Sequence, residues 1–344
     1  MQSLHDFQHR ALRFSIGTSD CAGVAFDHER GLLFASCLPD NVVYVFSTED
    51  GSLVSKFGSR GTEAGQFLNP WGLAIDHEHD RVLVTDYDNA RVQLWSLTHQ
   101  SFLGNIDSAV SSMFEFNHPQ GVAIDRHHRR IIIVDTYNNR LVFLSSIDLS
   151  FLFSVGSSRL GTRPGEFDFI QAAAVDHERL RIVVTDTCNH RVQVLSLIDG
   201  SFLFEFGSQG NQPGQLLYPQ GVCIANQGRI IVADSGNNRL QAFTPDGHHI
   251  SFFVGERGNN SATYEVAFDE HRGLIAFSAD NQVHVIGANQ WLPDTFTWQP
   301  YVHRYAPSSI KRTVSTMTMI RSLVDESALS MIPNEILFEI FSFL

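Results

Sequence analysis

Gly72-Leu-Ala-Ile-Asp76, followed ten residues later by Asp86-Tyr-Asp-Asn-Ala-Arg91, is the pair of signals from which the rest of the chain can be read. The first has the form G-h-A-h-D, with h apolar. It recurs as Gly23-Val-Ala-Phe-Asp27 and Gly121-Val-Ala-Ile-Asp125, and in altered form as Ala172-Ala-Ala-Val-Asp176, Gly221-Val-Cys-Ile-Ala225 and Glu265-Val-Ala-Phe-Asp269. Successive copies end 49, 49, 51, 49 and 44 residues apart. The second signal, h-x-D-x-x-N-x-R-h, recurs at Asp86–Arg91, Asp135–Arg140, Asp186–Arg191 and Asp234–Arg239. Near Ser36–Asn41 and Ala279–Gln282 it lacks the Arg. A fixed period of this size marks a repeat architecture.

Each unit reads as four short strands. In the second, Leu73–Asp76, Arg81–Thr85, Arg91–Ser96 and Ser101–Ile106 are β-branched and aromatic runs separated by Asp, Asn and Gly turns. Four-stranded meanders repeated about an axis make a propeller, and small Gly and Ala residues suit its crowded centre. Six outer strands are expected, at Leu12–Ile16, Leu53–Phe57, Phe102–Ile106, Phe151–Val155, Phe202–Phe206 and Ser251–Val254. The last three-strand inner set ends near Ile286 with no outer strand after it, so Leu12–Ile16 should complete that blade and leave no open sheet edge. The expected fold is therefore all-β: a six-bladed β-propeller over residues 12–286 closed by an N-terminal strand, with a short helix at the C-terminus.

Composition narrows the function classes. Hydrophobic residues are 43% and charged residues 18%, enough for a large core. Net charge is −13 and lysine occurs twice, at Lys56 and Lys311, which weighs against nonspecific nucleic-acid binding. Cys21, Cys37, Cys188 and Cys223 show no metal-knuckle or C-x-x-C spacing, and a reducing intracellular compartment fits them best. The N-terminus carries no apolar signal region, and no apolar run is long enough to span a membrane. A cytoplasmic location, with the nucleus as alternative, is the resulting expectation.

The lead-in Phe57-Gly-Ser-Arg-Gly-Thr-Glu-Ala-Gly-Gln-Phe-Leu-Asn-Pro-Trp-Gly72 and its copy Phe206-Gly-Ser-Gln-Gly-Asn-Gln-Pro-Gly-Gln-Leu-Leu-Tyr-Pro-Gln-Gly221 resemble the NHL-repeat family. Four of the six copies carry the resemblance well. It implies a six-bladed propeller serving as a binding platform, as in tripartite-motif NHL proteins. Some NHL propellers bind structured RNA on a basic face. Other six-bladed propellers are metal-dependent hydrolases or lyases.

In such blades the G-S-x-G loops and the D-x-x-N-x-R turns share one face. The Asp and Asn there satisfy turn amides and the Arg braces the neighbouring loop. Between them the residues vary, which suits ligand reading on a constant scaffold. Trp71, Tyr87, Tyr137, Phe169 and Tyr218 form an expected aromatic rim for a protein or peptide, the alternative being that each packs on its own loop. Arg91, Arg140, Arg191 and Arg239 are the expected basic contacts of that face, and the ones an RNA would use.

On the opposite face His28, His77, His127, His177 and His271 follow the inner strands. Blades are rotated about 60° from one another in a six-membered ring, so these turns are expected far apart and no metal or cofactor is expected. Lyases of related fold hold zinc with His from several blades. Of the comparable positions here, Asn69, His118 and Tyr218, one is His. No nucleophile elbow or phosphate loop occurs. The chain reads as non-catalytic.

After Ile286 an aromatic extension and Ser/Thr-rich linker fill residues 287–330, and the stretch 287–305 with Trp291, Phe296, Trp298, Tyr301 and Tyr305 is expected to pack on the propeller. Residues 331–344 contain Ile332-Pro-Asn-Glu-Ile-Leu-Phe-Glu-Ile-Phe-Ser-Phe-Leu344, which resembles the opening of an F-box. That resemblance implies docking to the adaptor of a cullin-based ubiquitin ligase through Pro333, Glu335, Ile336, Leu337, Ile340 and Phe341. Three readings stay open: an incomplete F-box, a helix docking on the propeller, and a short linear motif. The combined expectation is substrate recognition linked to ubiquitin ligation and protein degradation.

Overall fold

A computed structural model of the chain describes residues 12–17, 20–107, 115–254, 263–279 and 281–291. They form six four-stranded antiparallel sheets. Blade 1 comprises Cys21–Asp27, Leu32–Cys37, Val42–Ser47 and Leu53–Phe57; blade 2 comprises Pro70–Asp76, Arg81–Asp86, Arg91–Ser96 and Phe102–Ile106. Blades 3, 4 and 5 repeat the order from Pro119–Asp125 to Phe151–Gly156, Ile170–Asp176 to Phe202–Phe206, and Pro219–Ala225 to His249–Val254. Blade 6 takes Val266–Asp269, Leu274–Ala279 and Gln282–Gly287 from the end of the repeat. Its fourth strand is Leu12–Gly17, paired antiparallel with Leu12 opposite Ile286 and Gly17 opposite Gln282. The expected N-terminal closure is present.

Apolar side chains collect in six clusters, one at each blade boundary. Between blades 1 and 2, Phe34, Val43 and Val45 meet Leu73, Val82, Val84 and Trp95. Between blades 6 and 1, Ala276, Val283 and Val285 meet Leu33, Ala35 and Phe46. A middle strand therefore buries both faces: Val82 and Val84 point to blade 1 while Leu83 points to blade 3. This is why such strands are apolar throughout, whereas the outer Phe202–Phe206 alternates half-buried and exposed residues. Each fully buried aliphatic or Phe side chain contributes about 1.5–3 kcal/mol.

Polar staples cross the same boundaries. The Thr85 hydroxyl accepts the Gly72 N–H (2.7 Å) and donates to the Gln120 carbonyl of the next blade (2.6 Å). Ser278 does the same for closure, accepting the Glu265 N–H (3.1 Å) and donating to the Ala22 carbonyl of blade 1 (2.9 Å). Near the other end, Arg81 donates to the Ser146 carbonyl (2.6 Å) and Arg272 to that of His28 (2.6 Å). The close approach explains the inner glycines, since a Cβ on Gly72 would overlap the Gln120 carbonyl.

Cys21 and Cys37, which spacing alone did not pair, face one another across the first two strands of blade 1 and are joined as a disulfide. The short helix Ala288–Trp291 follows blade 6, and Trp291 packs on Phe253 at a ring separation of 6.0 Å; Phe296, Trp298, Tyr301 and Tyr305 lie outside the described residues. The F-box-like residues, Pro333 to Phe341 included, lie outside the described residues.

Candidate functional site

The inner strands enclose an axial channel with a cavity of about 270 Å³, lined by apolar positions such as Val24, Leu73, Val122 and Val222, and by Glu265. Its two mouths differ chemically.

The upper mouth carries the D-x-x-N-x-R turns. Asp234 accepts from four donors, the Leu217 N–H (2.7 Å), Asn237 Nδ2 (2.9 Å), Arg239 Nε (2.7 Å) and Gln241 Nε2 (2.9 Å). The remaining Arg239 nitrogens donate to the carbonyls of Asn211, Gln212 and Gln215 in the G-S-x-G loop. Blades 2 and 4 repeat this with Asp86, Arg91 and Gln93 and with Asp186, Arg191 and Gln193. The motif thus extends to D-x-x-N-x-R-x-Q, and the glutamine was a readable signal. Blade 3 has Val142 in its place; burial there pushes the Asp135 carboxyl above the usual range, against the hydrogen bonds from Asn117, Asn138 and Arg140. Arg91, Arg191 and Arg239 are buried and Arg140 nearly so, each with its guanidinium bound to Asp and loop carbonyls. The bracing expectation describes them. The guanidinium nitrogens of Arg91, Arg191 and Arg239 are engaged by the loop itself, while the Arg140 side chain is 22% exposed.

Most of the aromatic residues come together, within blade 2 and across its boundaries with the neighbouring blades. Trp71 lies 5.5 Å from Tyr87, Tyr87 6.2 Å from Tyr137, and Tyr137 4.9 Å from Phe169, centroid to centroid. Tyr87 and Tyr137 share a hydrogen bond of 3.2 Å, and burial together with that bond raises the Tyr87 phenol. Two further residues complete the arc. His118 sits between Tyr87 (4.6 Å) and Tyr137 (4.7 Å), and Tyr264 stands edge-on to Trp71 (6.4 Å). Tyr218 is apart, paired with His190 at 4.5 Å and 47% exposed. Phe169, Tyr218 and His118 hold left-handed backbones, with φ of 60°, 47° and 52°, a strained state for bulky residues that concentrates at functional sites. It is stabilised from the preceding blade: the Phe169 N–H donates to Asn139 Oδ1 (2.6 Å) and the Tyr218 N–H to His190 Nδ1 (3.1 Å). Of the positions compared with a zinc lyase, Asn69 donates to Asp88, and Asn69, His118 and Tyr218 supply a single imidazole among them.

Just below, Glu265 stands where the other inner strands have Gly or Ala. Its carboxylate accepts the Val266 N–H (3.2 Å), and no cationic side chain pairs with it among the described residues. Burial raises its pKa from 4.5 to about 8 despite backbone hydrogen bonds from Val266 and Val222.

The lower mouth overturns the expectation that the histidine turns lie far apart. His28 is 4.7 Å from His77 and 4.5 Å from His271, and His127 is 5.0 Å from His177. Convergence of the inner strands brings successive turns into contact although the rotation between blades is large. Burial, then His77 and His271, holds His28 below the ordinary imidazole value; burial, then Arg126 and His127, does so for His177. A second cavity of about 360 Å³ opens here beside His28, Arg126 and His177.

The profile of the NHL repeat matches residues 67–94, 167–195 and 216–243. The chain is 36% identical over 95 residues to Protein brain tumor of Drosophila melanogaster, covering 27% of this chain and 9% of that protein. It is 47% identical over 49 residues to Protein lin-41 of Caenorhabditis elegans, covering 14% and 4%. To the E3 ubiquitin-protein ligase TRIM71 of Xenopus tropicalis it is 52% identical over 46 residues, covering 13% and 6%. The chain thus matches less than a tenth of the length of these curated relatives. No helix among the described residues is long and apolar enough to cross a membrane.

Proposed function

We propose, from the premise that this propeller is built of NHL repeats, that it is a non-catalytic protein-interaction module that grips a protein or peptide along the aromatic arc of its upper mouth. The arc itself carries the reading: Tyr264, Trp71, Tyr87, His118, Tyr137 and Phe169 form one continuous partly exposed strip on a rigid scaffold. Strips of this kind, aromatic and backed by immobile loops, are what protein interfaces use as anchors. Tyr218 extends the face as a separate anchor.

The finer reading is substrate recognition for ubiquitin ligation and protein degradation. The resemblance to a ubiquitin-protein ligase over part of the repeat supports it, as does the F-box-like segment with Pro333, Glu335, Ile336, Leu337, Ile340 and Phe341. RNA is the lesser alternative, because the guanidinium groups of Arg91, Arg191 and Arg239 are enclosed.

The test is affinity capture with the full chain, comparing wild type, a Trp71→Ala/Tyr137→Ala variant and a lower-mouth control, His127→Ala. A partner retained by wild type and control and lost by the arc variant is expected. Partners indifferent to the arc variant would overturn the reading, as would RNA bound in a salt-titrated gel shift with equal affinity by all three. The ligase arm predicts a cullin adaptor that co-purifies and is lost on Ile336→Asp; its absence from wild-type material defeats that arm alone.

A further inference from the structure

We propose that the lower mouth at blades 1 and 2 is a binding site for one divalent transition-metal ion of the zinc class, ligated by His28, His77 and Glu29. The ligating atoms of these three side chains lie within 4.8 Å of one another. A four-coordinate zinc with bonds of about 2.0–2.1 Å sets its ligands about 3.3 Å apart, a closure that side-chain rotation supplies. Two histidines and a glutamate, with one open position, is an established donor set for zinc, and imidazole donors favour such ions over calcium or magnesium.

His77 distinguishes this cluster from an ordinary group of turn residues. Both of its ring nitrogens are buried, and neither has a hydrogen-bond partner. An imidazole has at least one N–H to satisfy, and leaving it unpaired away from water is unfavourable. The nitrogens face two different carboxylates. Nδ1 lies 3.4 Å from Glu29 Oε2, and Nε2 lies 3.7 Å from Asp27 Oδ1. Asp27 is fully buried and held by the Glu29 and Arg30 N–H groups at 3.1 Å each. This is the arrangement of a metal-bound histidine whose far nitrogen is oriented by a fixed carboxylate. A metal on the Nδ1 side, shared with Glu29 and His28, would satisfy Nδ1 and place the remaining proton on Nε2, facing Asp27. His271 packs against His28 at a ring separation of 4.5 Å and is not among the converging ligands.

Among the described residues, the comparison with blades 3 and 4 narrows the site to one. Asp125, His127 and His177 also converge, but Asp125 Oδ2 already accepts from His128 (2.9 Å) and Arg130 (2.9 Å).

The full, untagged chain, stripped with chelator, is titrated with Zn2+ by calorimetry and with Co2+ by visible absorption. One tightly bound equivalent with ligand-field bands of a low-coordinate Co2+ is expected. His77→Ala and His28→Ala should each weaken binding by more than about 100-fold, and Glu29→Gln by about tenfold or more. His127→Ala should leave it unchanged. Absence of uptake, or uptake surviving both His77→Ala and His28→Ala, overturns the proposal. If His77→Ala fails to give a cooperative melt, the more accessible His28→Ala decides alone.

Discussion

At the upper mouth the repeated Asp residues, Asp234 above all, accept hydrogen bonds from their own blade, while at the lower mouth imidazoles lie against one another and His77 has no hydrogen-bond partner at either nitrogen, only carboxylates 3.4 and 3.7 Å away. Both ends are made by one repeated unit. The difference shows what repetition does in a closed ring. Where a motif satisfies itself within a blade, copying it yields four independent braces, in blades 2 to 5, and a stiff frame on which variable residues are displayed. Where side chains lie close to the axis, copying brings like beside like and leaves chemistry that only a further group can complete.

The sharpest way to break this contrast is to remove a carboxylate at each end. Asp234→Ala strands the buried Arg239 guanidinium and should cost about 3–5 kcal/mol. Asp27→Ala releases Arg30, whose side chain is 38% exposed, and should cost about 1–3 kcal/mol. Equal midpoints in denaturant for the two would refute the asymmetry.

Next in size is Glu265. Its folded carboxyl is raised from 4.5 to about 8, so the folded state keeps a proton that the unfolded chain gives up. Stability should be full below about pH 4.5 and decline as pH rises through about 8. Glu265→Gln should flatten that slope and raise the melting temperature at pH 9, by an amount equivalent to about 2 kcal/mol or more. A variant with the wild-type slope would show that the channel is wetter than its lining suggests.

Closure comes third. Ser278→Ala removes a buried hydrogen bond across the blade 6 to blade 1 junction and a part-buried one within blade 6, and should cost about 1–2 kcal/mol. An unchanged thermal midpoint would mean that the apolar boundary alone holds the ring shut. The smallest effect on stability is expected at Tyr137, 44% exposed. Tyr137→Ala should change stability by less than about 0.5 kcal/mol while abolishing partner capture, and a large loss of stability would place it among the braces instead.

Much of the ring was legible because its signals are local. The G-h-A-h-D strands, the outer strands and the surplus of one strand at Leu12–Ile16 follow from side-chain pattern and count. The aromatic residues were legible as candidates, but their contact across blades was not, since Trp71 and Phe169 lie almost a hundred residues apart in sequence. Proximity near the axis misled for the same reason: rotation between blades suggests distance, while convergence of the inner strands imposes contact between His28, His77 and His271. Ser278 and Thr85 read as ordinary strand residues because a hydroxyl bonding to the next blade leaves no trace in its own period. Cys21 and Cys37 depend on register, which spacing does not give.

The pairing of Leu12 with Ile286 has a mechanical consequence. The chain enters and leaves the ring at the same end of one antiparallel strand pair. Tension applied through the two flanking segments therefore loads the pair's hydrogen bonds one after another, as in peeling tape, instead of all together in shear. A ring that resists heat through six shared boundaries would thus open under a modest pull at its own seam.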